Sequence, residues 1–406
     1  MIKLLNKDNV RELCYLVEID AIEPIEGKDR VEAAVIGGWR TMVKKGDFQP
    51  GDLGIYFEVD SKVPEKEPFT FLEKYHYKIK TQKFKNFYSQ GLLMHPNDFG
   101  WLVEKNDSGL YVVDADGNQH FVNDESRFLT KQLDVTYATA DDNNRKASSP
   151  DKYKKMAGRH PNLFKKKPIR WLMKRNWGKK LLFIFFGKAK DKKSWPQHIA
   201  AKTDVERIQN AMYILNDKNP YVASEKIDGS SCSIMAERGK FGKIKYYICS
   251  RNVVFEDEKQ KCYYDENIYF EAYYKYNFKD KITRILNDYN LPNVALQMEV
   301  FGPGIQKRDY SLNEHQAMIF HIVSNGVKMP MDKVIEICEK YDMPHVPIVN
   351  DNFIFPDTLD ELQKYVEGEG SKIDGKPREG IVFYDKETGQ QYVKFVSPEF
   401  LIKFHS

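Results

Sequence analysis

Cysteine is scarce in this chain: five occur in 406 residues, at Cys14, Cys232, Cys249, Cys262 and Cys338. The number is odd and no CxxC pair is present, which argues against both a disulfide framework and a structural zinc site. Long apolar runs are missing too. The longest, residues 181–186, falls far short of the roughly 20 residues a membrane-spanning helix needs. Residues 1–10 are polar and lack the apolar centre of a signal peptide. A soluble, cytoplasmic and monomeric protein with no membrane partner is therefore expected. No internal repeat stands out. Charge of one sign is lacking overall, with 63 Lys plus Arg against 59 Asp plus Glu, a net +4.

That balance conceals an asymmetry. Residues 152–193 hold 16 Lys or Arg and one acid, Asp191, so the rest of the chain carries +4 − 15 = −11. The run includes Lys165, Lys166, Lys167, Lys174 and Arg175, spaced by Trp171, Leu172 and Trp177, as in one or two amphipathic helices. Clustered cations of this kind release counterions from nucleic acid, which makes Lys165, Lys166 and Lys167 candidate RNA contacts. A solvated connector and a membrane-surface helix are the competing readings.

The first hundred residues look all-β. Residues 13–22 read as a strand ending at Glu23-Pro24, and 30–36 and 39–43 as a hairpin across Gly37-Gly38. Residues 53–59 form a further strand candidate. In 77–87, Lys78, Lys80, Lys83 and Lys85 interleave with Ile79, Phe84 and Phe87, a pattern suited to an RNA backbone or to a solvated strand face. The spacing suggests a small OB-like barrel. Beyond residue 195, strand patterns (221–224, 233–236, 246–250, 294–300, 317–323, 380–384, 391–396) alternate with helical ones. Of these, 279–289 and 331–341 are periodic, the second through Val334, Ile337, Cys338 and Tyr341. The expected fold is α+β: an OB-like β-barrel over 1–125, a basic, partly helical connector over 126–195, and a domain of antiparallel sheets over 196–406.

The chemistry centres on Lys226-Ile227-Asp228-Gly229, between two strand patterns. A lysine amine is a poor nucleophile at its free pKa of roughly 10.4, so its setting must favour the neutral form. Asp228 could hold a divalent cation on the same side, and Gly229 would let backbone approach a nucleotide closely. Alone, the tetrapeptide is equally a surface strand ending in an Asp-Gly turn. Its company is more specific. In order follow Ser250-Arg251-Asn252, then Gln297-Met298-Glu299-Val300-Phe301-Gly302-Pro303-Gly304-Ile305-Gln306, then Ile319-Phe320-His321-Ile322. Arg378-Glu379-Gly380-Ile381-Val382 and Tyr392-Val393-Lys394-Phe395 complete the set.

This series resembles the covalent nucleotidyltransferase superfamily of RNA ligases, DNA ligases and capping enzymes. The Gly-Pro-Gly-Ile-Gln run is similar to the RNA-ligase form. One RNA ligase subfamily places its OB domain first, and residues 11–94 resemble that domain. The matching stretches include Pro24-Ile25-Glu26-Gly27-Lys28-Asp29-Arg30, Val43-Lys44-Lys45-Gly46-Asp47-Phe48 and Tyr56-Phe57-Glu58-Val59-Asp60. Lys202-Thr203-Asp204-Val205-Glu206-Arg207-Ile208-Gln209-Asn210 resembles a further hallmark.

The resemblance implies an ATP-dependent RNA ligase in RNA repair, joining 3′-OH and 5′-phosphate ends, a nicked duplex being favoured, through AMP carried on Lys226. It implies Asp228, Glu299 and Glu379 around a hydrated Mg²⁺ or Mn²⁺. It further implies nucleotide contacts from Glu225, Arg251, Glu299, Phe320 (on adenine), Lys394, Arg207 (on the β- or γ-phosphate) and Lys403. The last motif departs from its usual Lys-x-Lys form, with Val396 in the third position. A capping-type guanylyltransferase, a DNA ligase and an RNA-binding protein with a decayed ligase domain are the rivals.

Overall fold

The computed structural model describes residues 11–85, 87–138, 194–390 and 392–405, together with residues 166, 169, 171, 172, 175 and 182. Nearly all of the basic segment, Lys165, Lys167 and Lys174 included, lies outside the described residues. No helix among them is long and apolar enough to cross a membrane.

The N-terminal unit is built from β1 (Cys14–Glu18), β2 (Ala21–Pro24), β3 (Val31–Ile36), β4 (Trp39–Lys44), β5 (Leu53–Phe57), β6 (Ser61–Lys62), β7 (Gln82–Phe84), β8 (Phe87–Ser89) and β9 (Leu92–Met94). β10 (Leu102–Asn106), β11 (Gly109–Val113), β12 (Gln119–Phe121) and β13 (Thr136–Tyr137) follow. The central sheet runs β1-β5-β9, flanked by the sheets β2-β3-β4 and β10-β11-β12.

Strand alternation explains why β5 is buried at every position. Leu53, Ile55 and Phe57 enter one apolar cluster with Val112, and Tyr56 enters another with Trp39 and Ala34. A strand covered on both faces loses the polar alternation of a half-exposed one. The hairpin across Gly37-Gly38 is as expected. The strands do not close into a barrel among the described residues. Residues 13–22 split at Ile19-Asp20, where Asp20 turns its carboxylate to the Gly37 amide (2.5 Å). Residues 77–87 are likewise not one strand: Lys85 adopts a left-handed φ of 56° and reverses the chain between β7 and β8.

The C-terminal unit holds two five-stranded sheets. One has the order β14 (Glu206–Arg207), β23 (Tyr392–Val396), β22 (Gly380–Asp385), β15 (Tyr221–Lys226), β21 (Ile348–Phe353). The other has the order β17 (Ile244–Ser250), β16 (Ser230–Arg238), β18 (Asn293–Phe301), β19 (Gln316–Ser324), β20 (Val327–Lys328). Every pairing is antiparallel except β14 with β23. The apolar stripes of helices Phe278–Asp288 (Ile282, Ile285, Leu286) and Met331–Lys340 (Val334, Ile337, Cys338) join the second sheet in the largest core.

The units meet through a hydrogen-bonded seam. The Gly38 amide donates to the Gln209 carbonyl (2.9 Å) and Trp39 Nε1 to Asn210 Oδ1 (2.6 Å). A Cβ on Gly38 would lie 2.6 Å from Gln209 Cα, so only glycine lets the hairpin turn approach this closely.

Candidate functional site

Period-two alternation along β15 decides which side chains can act. Tyr221 and Ala223 enter one core with Ile381, Phe383, Val393 and Phe395, so Lys226 and Lys394 emerge on the opposite face. Glu225 belongs to the first face. It is buried, and its carboxylate accepts from the Ser371 hydroxyl and from the Lys372 amide (2.7 Å). The structure thus places the Glu225 side chain on the face of β15 opposite Lys226, as an anchor for the turn at Ser371.

Lys226 ends β15 opposite Gly380, and its Nζ lies 2.7 Å from both carboxylate oxygens of Glu379. Burial acts to lower the Lys226 pKa, but Glu379, Glu299 and Asp228 outweigh it and hold the ammonium above its ordinary range. The protein groups alone therefore do the reverse of activating the amine. Glu299, half-buried on β18, is pushed up to about 8, first by burial and then by Glu379 and Asp228 against the pull of Lys226. Asp228 is buried, and its amide donates to Tyr310 Oη (2.6 Å). Gly229 is required, though for a neighbour other than a nucleotide: a Cβ there would lie 2.4 Å from the Val300 carbonyl of β18.

Three carboxylates around one ammonium leave a surplus of negative charge that suits a divalent cation. No three His, Cys, Asp or Glu side chains among the described residues converge closely enough to grip a metal directly. Water-mediated contact is the mode these acids fit, and it suits Mg²⁺, which gives up its waters reluctantly.

Lys394 shares a row across the sheet with Ser224, Val382 and Arg207. Burial lowers its pKa, and Arg11, Arg207 and Lys226 add to this against Asp204, to about 7. Arg207 is buried and donates through Nη2 to Asp60 of the N-terminal unit (2.9 Å). Arg251 is half-exposed at 3.6 Å from Asp204, yet near enough to Glu299 to act on its charge. Phe320 is half-buried beside Ile227, Phe301 and Tyr310. Lys403 is exposed on helix Pro398–His405, its Nζ 5.4 Å from the Phe404 ring.

The structure divides the four interleaved lysines. Lys80 is half-buried near Lys78, Lys307 and Asp60. Lys83 leans on the Tyr88 ring and feels Glu399 and Glu367, and Lys85 is exposed at the turn. Lys166 is exposed.

Several site-building residues escaped the sequence reading. Arg308 and Asp374 form a buried pair (2.6 Å), and Arg308 also lies over the Tyr310 ring. Gln306 Nε2 donates to the Gly229 carbonyl (3.0 Å). Arg11 meets buried Glu58 at 2.5 Å. Of these, Gln306 and Glu58 lay inside motif stretches, and their partners lie 77 and 47 residues away.

The fold sets an OB-like unit ahead of an α+β domain of two antiparallel sheets, where Lys226, Glu299 and Glu379 come together. Comparison with known families agrees: residues 13–96 match an OB-fold domain model, and residues 219–403 match the RNA ligase family. Among solved structures the chain is similar to a Naegleria gruberi RNA ligase variant with ATP and Mn, at 21% identity over 98% of each chain and TM-score 0.69. It is also similar to the Naegleria gruberi RNA ligase with PPi, at 20% identity over 98% of this chain and 99% of that one, TM-score 0.67. No curated protein sequence matches.

Proposed function

We propose that this protein is an ATP-dependent RNA ligase that seals 3′-OH and 5′-phosphate ends, in a nicked duplex, in RNA repair. Lys226 Nζ attacks the ATP α-phosphorus; the new N–P bond forms as the bond to the leaving pyrophosphate breaks. The AMP then passes to the RNA 5′-phosphate, and a 3′-hydroxyl displaces it as the phosphodiester forms. The observation that carries this reading is the Lys226 ammonium at 2.7 Å from Glu379, with Glu299 and Asp228 close enough to act on its charge.

Lys226 has to leave Glu379 and lose its proton before it can attack. Lys394, one row along, faces the charge that gathers on the α-phosphate oxygens, and Phe320 beside Ile227 offers a ring to adenine. Positioning and charge neutralisation supply most of the catalysis in such in-line substitutions. A bound Mg²⁺ or Mn²⁺, held through water by Asp228, Glu299 and Glu379, would neutralise those acids and the phosphates. Lys80 with Lys78 and Lys307 forms a basic rim spanning both units, where an RNA backbone fits.

The test is incubation with α-labelled ATP and Mg²⁺ or Mn²⁺, wild type beside Lys226→Ala, followed by denaturing electrophoresis. Label retained on the wild type alone supports the mechanism, and an unlabelled wild type free of prior AMP sinks it.

A further inference from the structure

The N-terminal unit contributes a carboxylate to the catalytic half. Asp60 Oδ2 accepts from Arg207 Nη2 at 2.9 Å, and the Arg207 side chain is only 6% exposed. Its Nε and Nη1 are buried and find no hydrogen-bond partner among the described residues. A guanidinium is always charged, and burying its donors unpaired is unfavourable, so two open donors mark a place for an anion. Arg207 lies beside Lys394 on the adjoining strand, with Lys226 near enough to Lys394 to influence its charge. Asp60 itself is firmly set: its amide donates to the Ile79 carbonyl (2.9 Å), its carbonyl accepts from the Ala138 amide (2.8 Å), and its φ is 66°.

We propose that Asp60 is a positioning residue for nucleotide activation, holding Arg207 by one nitrogen so that the other two face the β- and γ-phosphates of the nucleoside triphosphate. The proposal rests on the nucleotidyl-transfer reading above. It gives the N-terminal unit a part in the first chemical step, separate from any contact with RNA. The Glu58 hub supports the same strut: Glu58 takes hydrogen bonds from Arg11 (2.5 Å), Tyr15 (3.2 Å) and Asn210 (3.0 Å), which fixes the segment that carries Arg207.

Asp60→Gly removes the carboxylate while suiting the left-handed backbone, and Asp60→Asn keeps an acceptor without the charge. Tripolyphosphate binding, followed by calorimetry on the whole chain, is the direct probe. If Asp60 positions Arg207, Asp60→Gly weakens binding about tenfold, like Arg207→Ala, while Asp60→Asn binds at least as tightly as wild type because repulsion is gone. Asp60→Gly should also raise the KM for ATP in self-adenylylation by a similar factor. Sealing of pre-adenylylated RNA, which has no β- or γ-phosphate, should stay within about twofold of wild type. Tighter or unchanged tripolyphosphate binding in Asp60→Gly overturns the proposal, as does an equal loss in both reactions. A wild type that binds tripolyphosphate but never labels with ATP defeats the nucleotidyl-transfer reading and leaves the Asp60–Arg207 anion site standing.

Discussion

Two clusters of buried charge in this protein are built to opposite ends. At the seam between the units, Glu58 is almost fully buried and takes donors from Arg11, Tyr15 and Asn210, so its charge is fully answered by the protein. At the end of β15, Lys226 faces Glu379, Glu299 and Asp228, and the acids outnumber it. Burying a charge is tolerable when it is paired and hydrogen-bonded. In the Lys226 cluster, burial first and then the neighbouring acids push the Glu299 carboxyl up to about 8 against the pull of Lys226. The balanced cluster fixes the two units together, and the unbalanced one keeps more acids than the lysine can answer.

The comparison can be broken from either side. The largest effect is expected at the end of β15, where Lys226→Ala should abolish covalent labelling by α-labelled ATP and leave the native circular dichroism spectrum intact. Next comes the seam. Arg11→Ala strands a buried carboxylate and should lower stability by about 3–5 kcal/mol, read from urea denaturation; a loss under 1 kcal/mol would mean that the seam behaves as a surface pair.

A third prediction concerns pH. Lys394 has a folded-state pKa of about 7, below its unfolded value of roughly 10.4, so the unfolded chain binds its proton more tightly. Stability contributed through this group therefore rises with pH between those values, by at most ~1.4 kcal/mol per unit. From pH 7 to 9 the wild type should gain Tm relative to Lys394→Met, and parallel pH curves would show that Lys394 keeps an ordinary pKa. The smallest effect belongs to the basic rim. Replacing Lys80 and Lys307 by Ala should reduce the slope of log affinity for RNA against log salt by about 2, without base preference.

Much of the Lys226 cluster was legible because each member sits in a short motif on or beside a regular strand. Lys226, Glu299, Glu379 and Lys394 meet although up to 168 residues separate them, and the order of the motifs foretold it. Glu225 shows a different lesson. Alternation turns it to the face opposite Lys226, and its hydrogen bonds to the Ser371 turn, 146 residues on, arise only in the fold. The single strand expected over 77–87 failed for want of a marker at Lys85, a residue with no turn preference that takes a positive φ. The seam was out of reach. Nothing in the local pattern of Glu58 or Asp60 points to Asn210 or Arg207, some 150 residues on, because the contacts arise only when two units dock.

β14 is only two residues long and forms the outer strand of its sheet, with β23 on one side and the Gly37–Trp39 turn and Asp60 close by. An outer strand left bare is a template for pairing with another chain, and a covered one is protected from aggregation. A C-terminal unit produced without its partner unit would expose this margin and the apolar surface around Ile208 and Trp39's empty seat. Its first failing would be poor solubility, well before any failing of chemistry.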